Sequence, residues 1–113
     1  MLSEDEYVIL AQKELGMLIQ VLDELESDEL EAELENDIIT LELGEDTTYV
    51  INSHRAARQV WMAAERTAWH FDWDAEKSQW IAKKNGDELW GAVRASLKNH
   101  LDAALVERVI QRP

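Results

Sequence analysis

Residues 30–43 read LEAELENDIITLEL, and whether the first six of them form a strand or prolong a helix decides the fold. Leu30, Ala32 and Leu34 alternate with Glu31, Glu33 and Glu35, the period-two pattern of a half-buried strand, yet Glu, Leu and Ala all favour helix by intrinsic propensity. The pattern alone leaves both readings open. The next two stretches are clearer: DIITLEL (37–43) and TTYVIN (47–52) are rich in β-branched residues, and Gly44, Glu45 and Asp46 between them supply a turn, so the spacing predicts a hairpin.

Upstream, Ser3 followed by Glu6 has the spacing of a capping box, and Val8, Ala11, Leu15, Leu18, Leu22 and Leu25 recur at intervals of three and four. These predict an amphipathic helix over 4–25. The run is under three heptads with few flanking ion pairs, which favours one docked helix over a coiled coil. Glu4, Asp5 and Glu6 sit in its first turn, where negative charge complements the macrodipole. Downstream, QVWMA (59–63), WHFDW (69–73) and SQWIA (78–82) are short strand candidates. NGDELWGAVRASLKNHLDAAL (85–105) then opens with turn residues and places Leu89, Val93, Leu97, Leu101 and Leu105 four apart, predicting a second helix slightly weakened by Gly91. Strands bracketed by helices imply an α+β fold, a two-layer α/β sandwich with two helices on one face of an antiparallel five- to six-stranded sheet. The whole chain, 1–113, reads as one domain.

Several functions are disfavoured by composition. The chain has no cysteine, which removes thiolate metal ligation, disulfides and a Cys nucleophile. No stretch approaches the roughly 20 apolar residues of a membrane span, and the opening MLSEDEY is acidic where a targeting peptide would be basic, so a cytoplasmic protein with no membrane partner is expected. A net charge of −13 opposes nucleic-acid binding. That charge is unevenly spread. Residues 1–46 hold 16 acids against the single base Lys13, net −15, while residues 47–113 hold 8 acids and 10 bases, net +2. The acids are interleaved with apolar residues too regularly for a disordered tail.

Asp23, Glu24, Glu26, Asp28 and Glu29 cluster where the first helix ends, the end at which the macrodipole disfavours carboxylates. If 30–35 is a strand, Glu29, Glu31, Glu33 and Glu35 share one face about 7 Å apart, each neighbouring pair repelling by roughly 0.6 kcal/mol in water. Such oxygens suit Mg²⁺, Ca²⁺, Mn²⁺ and iron, but the run has neither the glycine spacing of a calcium loop nor a histidine, so any site is exposed, weak and unselective. Val60 and Met62 pointing to the helices would leave Gln59, Trp61 and Ala63 facing water, and a solvent-facing Trp commonly anchors an interface. His70, Asp72 and Asp74 alternate and offer a weaker second metal site, though a plain solvated face is the simpler reading of them. Trp69, Trp73, Trp80 and Trp90 are expected in the core.

The order of elements, the acid-rich end of the first helix, YVIN ending at Asn52, QVWMA, WHFDW, and Trp80 followed by NGDELW together resemble the frataxins, in particular their bacterial CyaY-type branch. The likeness spans about residues 4–100 and favours the strand reading of 30–35. It departs at His54 and Ala56, where the family often has Gln and Pro, at Lys84 in place of an Arg, and in ALVERVIQRP at the end. The resemblance implies weak surface binding of iron (Fe²⁺ or Fe³⁺) along Asp23, Glu24, Glu26, Asp28, Glu29, Glu31 and Glu33. It also implies docking on a cysteine desulfurase and an iron-sulfur scaffold protein through Glu31, Glu33, Asn52, Gln59 and Trp61. A regulatory adaptor is the expected role, as a monomer, with metal-dependent association as the alternative. No hydrolase, phosphate-loop or metalloprotease motif is present, and no enzyme is expected. Ferroxidase, iron-storage or iron-donor activity is the enzymatic runner-up, although the Glu-x-x-His pattern of di-iron bundles is missing. An acidic mimic of nucleic acid is a third class that leaves Trp61 and NGDELW unexplained.

Overall fold

A computed structural model describes residues 2–113. Helix α1 (Glu4–Glu24) is followed by six strands, β1 (Leu30–Glu35), β2 (Ile38–Leu43), β3 (Thr47–His54), β4 (Gln59–Ala64), β5 (Thr67–Asp74) and β6 (Gln79–Ala82), and then by α2 (Leu89–Leu97) and α3 (Ala103–Val109). The strands pair antiparallel in sequence order, so β1 and β6 are the two edges. Residues 30–35 are thus a strand. The register explains why: Leu30, Ala32 and Leu34 lie opposite Leu43, Leu41 and Ile39, continuing an apolar face that no helical continuation of α1 could join. Asn36 and Asp37, both at positive φ, make the two-residue turn that closes this hairpin.

Apolar pairs run across the covered face, including Ile39 with Ile51, Ile51 with Met62, Val60 with Phe71 and Trp73 with Trp80. Against them pack Tyr7, Ala11, Leu15, Leu18 and Leu22 of α1 and Leu89, Trp90, Val93 and Leu97 of α2, all buried. Helix α1 starts with the expected capping box: the Glu6 amide donates to Ser3 Oγ and the Ser3 amide to Glu6 Oε1. Near that end, the Tyr7 hydroxyl donates to the Gln59 carbonyl at 2.8 Å, fixing the helix to the start of β4.

Two expectations need correction. The second helix does not run to residue 105. It stops at Leu97, the amides of Asn99 and His100 fold back onto the carbonyls of Ser96 and Leu97, and Asp102 caps a separate α3. Three helices therefore cover the sheet. The four-residue spacing misleads because Leu101 is buried in the turn itself, while the polar Lys98-Asn99-His100 run leaves the helix. Trp80 and Trp90 are core residues, but Trp69 and Trp73 are only half-buried at its margin, and the Trp69 indole N–H donates outward to Asp87 at 3.0 Å.

The end of the chain is tied down through a charge the periodicity hides. Glu14, on the inner face of α1, is 2% exposed. Its carboxylate accepts from the Trp90 indole N–H at 2.6 Å and from Arg112 at 2.8 and 3.2 Å, while Arg94 donates to the Ile110 carbonyl. Contact with Glu14 raises the Arg112 guanidinium above its ordinary value. At the other side of the sandwich the buried Tyr49 hydroxyl donates to Glu65 in the β4–β5 turn, and His100 Nε2 lies 2.7 Å from the same carboxylate. Burial first, and Glu65 second, push the Tyr49 hydroxyl well above its usual range. The Glu65 carboxyl is held below the usual carboxylate range, by the Tyr49 hydroxyl most and His100 next.

Arg112→Ala leaves Glu14 buried with its charge half satisfied. The expected loss is about 2 kcal/mol, reduced from the full cost of breaking a buried pair because Arg112 is partly solvated, or a Tm about 8 °C lower by calorimetry. The Glu14→Gln/Arg112→Ala double variant recovers at least part of that loss, since the amide still accepts from Trp90. A depressed Glu65 stabilises the fold above its unfolded value of 4.5, and that contribution disappears as pH falls through the lower folded value. Glu65→Gln is expected to flatten this acid limb in chemical denaturation across pH 3 to 5, with little effect on its slope at neutral pH.

Candidate docking and cation site

The uncovered face of the sheet carries the site. Because alternate residues of β1 point to opposite faces, Glu31, Glu33 and Glu35 face away from the helices, as expected, and all are exposed. Glu29 is not on this strand but in the turn before it, close to Asp28. Glu42 of β2 lies directly opposite Glu31, a like-charge pair. It joins the acidic surface although no sequence pattern singles it out, since one Glu inside TLEL carries no signal until the strand register is known. Asp23 and Glu24 end α1, and Glu26 follows in the connection, so all seven expected acids lie along one continuous edge formed by the helix end, the turn and β1.

None of these acids has a Lys, Arg or His within 4 Å among the described residues, where the ion pairs are Lys98–Glu107, His100–Glu65 and Arg112–Glu14. Nor do any three His, Asp or Glu side chains among the described residues converge closely enough to hold one metal ion. The ridge is a field of separate, hydrated, hard oxygen donors. Its chemistry suits loosely held, exchangeable cations and not a closed ligand cage.

Further across the same face, the row through Glu35 runs to Ile38, Asn52, Trp61 and His70. Three strand spacings separate Glu35 from Trp61, about 14 Å. Ile38, 43% exposed, lies between them. Trp61 faces outward and is half-buried, because His54 and His70 stack on its two faces, with ring centroids at 3.8 and 4.3 Å and interplanar angles of 12° and 20°. Its indole N–H donates to Gln59 Oε1 at 2.8 Å, and the Gln59 amide donates to Asp72 at 3.1 Å. Asn52 is the cross-strand neighbour of Trp61. The three expected docking residues Asn52, Gln59 and Trp61 are thus brought together, with the indole held by stacking and by a hydrogen-bonded chain. The weaker expected metal pair is engaged in that same arrangement: His70 lies flat on Trp61, and Asp72 accepts from Gln59. His54 is a member of the site that the sequence does not reveal, because only the pairing of β3 with β4 shows that it meets Trp61.

A family model described as the Frataxin-like domain matches residues 1–103. The iron-sulfur cluster assembly protein CyaY of Cupriavidus pinatubonensis is 33% identical over 108 residues, covering 92% of this chain and 95% of that protein. Mitochondrial frataxin of Arabidopsis thaliana is 29% identical over 103 residues, covering 87% of this chain and 55% of that longer protein. Among solved structures, the frataxin of Psychromonas ingrahamii superposes with a TM-score of 0.78 at 22% identity, covering 87% of this chain and 90% of that one. The trimeric frataxin of Saccharomyces cerevisiae gives 0.70 at 26% identity, covering 80% and 78%. The α+β sandwich, helices on one face of an antiparallel six-stranded sheet, is the architecture this chain shares with these frataxin structures. The chain belongs to the frataxin family, as a member of its bacterial CyaY-type branch.

Proposed function

We propose that this protein acts in iron-sulfur cluster assembly as an acidic adaptor, docking on the cysteine desulfurase and its scaffold protein through the uncovered face of the sheet. The observation that carries the reading is the union, on one face, of carboxylates without cationic partners and a rigidly held Trp61. The relatives named for cluster assembly support it. A field of unpaired carboxylates attracts a basic protein patch and raises the local concentration of cations, so docking and iron binding draw on one source. Docking is the primary event in this reading. Iron, as cargo or modulator, occupies the ridge weakly and competes with the partner for the same oxygens. The role is non-catalytic, performed by a cytoplasmic monomer.

The arrangement predicts desulfurase affinity that falls steeply between low and high salt, measured by titration of the full chain. Replacing Glu31, Glu33 and Asp28 by their amides is expected to weaken binding and flatten its salt dependence; unaltered affinity would reject the reading. Trp61→Ala should weaken binding about 30-fold while costing about 1 kcal/mol of stability. A collapse in Tm with unchanged affinity would instead mark the indole as a packing residue. Iron titrated aerobically and anaerobically should bind to the same extent with no catalysed oxidation, whereas turnover of Fe²⁺ would establish a ferroxidase.

A further inference from the structure

At the end of the molecule where α1 begins, an open groove of about 760 Å³ is lined by Arg55, Arg58, Lys83, Trp73, Glu4 and Asp72, together with small apolar side chains. Three cations against two acids is an unusual balance in a chain of net charge −13. Arg55 and Lys83 are exposed and have no carboxylate within 4 Å among the described residues. Arg58 is half-buried, and its guanidinium donates to the Leu2 carbonyl at 2.8 Å, which fixes its position while leaving further N–H groups to donate. The two acids are occupied differently. Asp72 accepts from Gln59, and Glu4 sits in the first turn of α1, where the macrodipole offsets its charge. Trp73 forms an aromatic wall, its far side packed edge-on against buried Trp80 with centroids 5.4 Å apart.

We propose that this groove binds an acidic, extended peptide segment of a partner protein. The cations come from separate places, Arg55 and Arg58 from the β3–β4 turn and Lys83 from the connection after β6. Spread over two connections that line one open groove beside an aromatic wall, they suit carboxylates spaced along a chain, with an apolar side chain laid on Trp73. The helix end of the ridge does not cancel this attraction, although Glu35, at the end of β1 nearest the β3–β4 turn, lies closer. Asp23 and Glu24 lie about 30 Å from Glu4 along the length of α1, more than three times the roughly 8 Å Debye length at physiological salt. Asp37, which shares a shallow hollow with Arg55, is the nearest acid of the β1–β2 hairpin and limits the field at one flank only. The surface is then two-signed, taking a basic patch at the ridge and an acidic segment at the groove. This inference is independent of which partner the ridge engages.

The test uses the full chain and a fluorescein-labelled octapeptide of alternating glutamate and glycine, followed by anisotropy at low and high salt, beside the same peptide with lysine for glutamate. Saturable binding of the acidic peptide is expected, weakened about tenfold by the double variant Arg55→Glu/Lys83→Glu and by high salt, and little changed by Arg108→Glu on α3, a control of comparable exposure. The double variant should leave lysine-peptide binding undiminished, since that peptide reads the ridge. Three results would overturn the proposal: no saturable acidic-peptide binding, equal weakening by Arg108→Glu, or loss of both peptides together. Displacement of the peptide by an equimolar amount of inorganic phosphate would also overturn it, showing a site for a free anion.

Discussion

Everything on the working face depends on the pairing of β1 with β2. Leu30 and Ala32, both half-buried, and the more exposed Leu34 lie on the helix-covered side opposite the buried Leu43, Leu41 and Ile39, and this places Glu31, Glu33 and Glu35 on the other side. A slip of one residue would send three glutamates into the core. The favourable side of the balance is the larger one. Full burial of a leucine such as Leu41 or Leu43 of β2 contributes about 1.5–3 kcal/mol and the half-buried Leu30 a share of that, while neighbouring glutamates about 7 Å apart in water repel by roughly 0.6 kcal/mol before screening. The apolar half of the strand therefore holds the acidic half in place, repulsion included.

The second half of the face is positioned from within the core. Helix α1 reaches the backbone of β4 through the Tyr7 hydroxyl and the Gln59 carbonyl. The Gln59 side chain, on the opposite face, holds the Trp61 indole on one side and Asp72 on the other. A single residue thus couples helix packing to the outward-facing tryptophan. The His54 and His70 rings close over both indole faces, so the surface Trp61 offers a partner is chiefly its edge.

Most of the fold is legible in the sequence because periodicity and turn chemistry agree along it. The capping box at Ser3 and Glu6, the Gly44 turn, and the alternation of β4 through β6 each carry a local signal that survives into the structure. Residues 30–35 are not legible from propensity, since cross-strand pairing with Ile39 and Leu41 of the next strand, outside the six residues themselves, selects strand over helix. The break after Leu97 is hidden because Leu101 keeps the helical spacing while sitting in a turn. The buried Glu14 is hidden for a related reason: its partners, Trp90 and Arg112, lie 76 and 98 residues away. The acids and Trp61 of the candidate site are readable, as exposure follows from the strand period. His54 and Glu42 are not, because each belongs to the site only through cross-strand register.

Edge protection by itself does not account for the acidic surface. Charged residues on β1 do discourage pairing of its free edge with another chain, and Glu31, Glu33 and Glu35 serve that purpose. Asp23 and Glu24, however, belong to α1, at the helix end where the macrodipole disfavours negative charge, and α1 has no basic residue in its last turn. Glu42 lies one strand in from the edge, directly opposite another glutamate. Neither placement blocks edge pairing, and both weaken local stability. Repelling carboxylates on three adjoining elements, none with a cationic neighbour within 4 Å among the described residues, constitute a surface whose unfavourable field is relieved only from outside the chain. A cation or a basic protein supplies that relief, and the same self-repulsion that lowers the stability of the free protein adds to the free energy of binding either one.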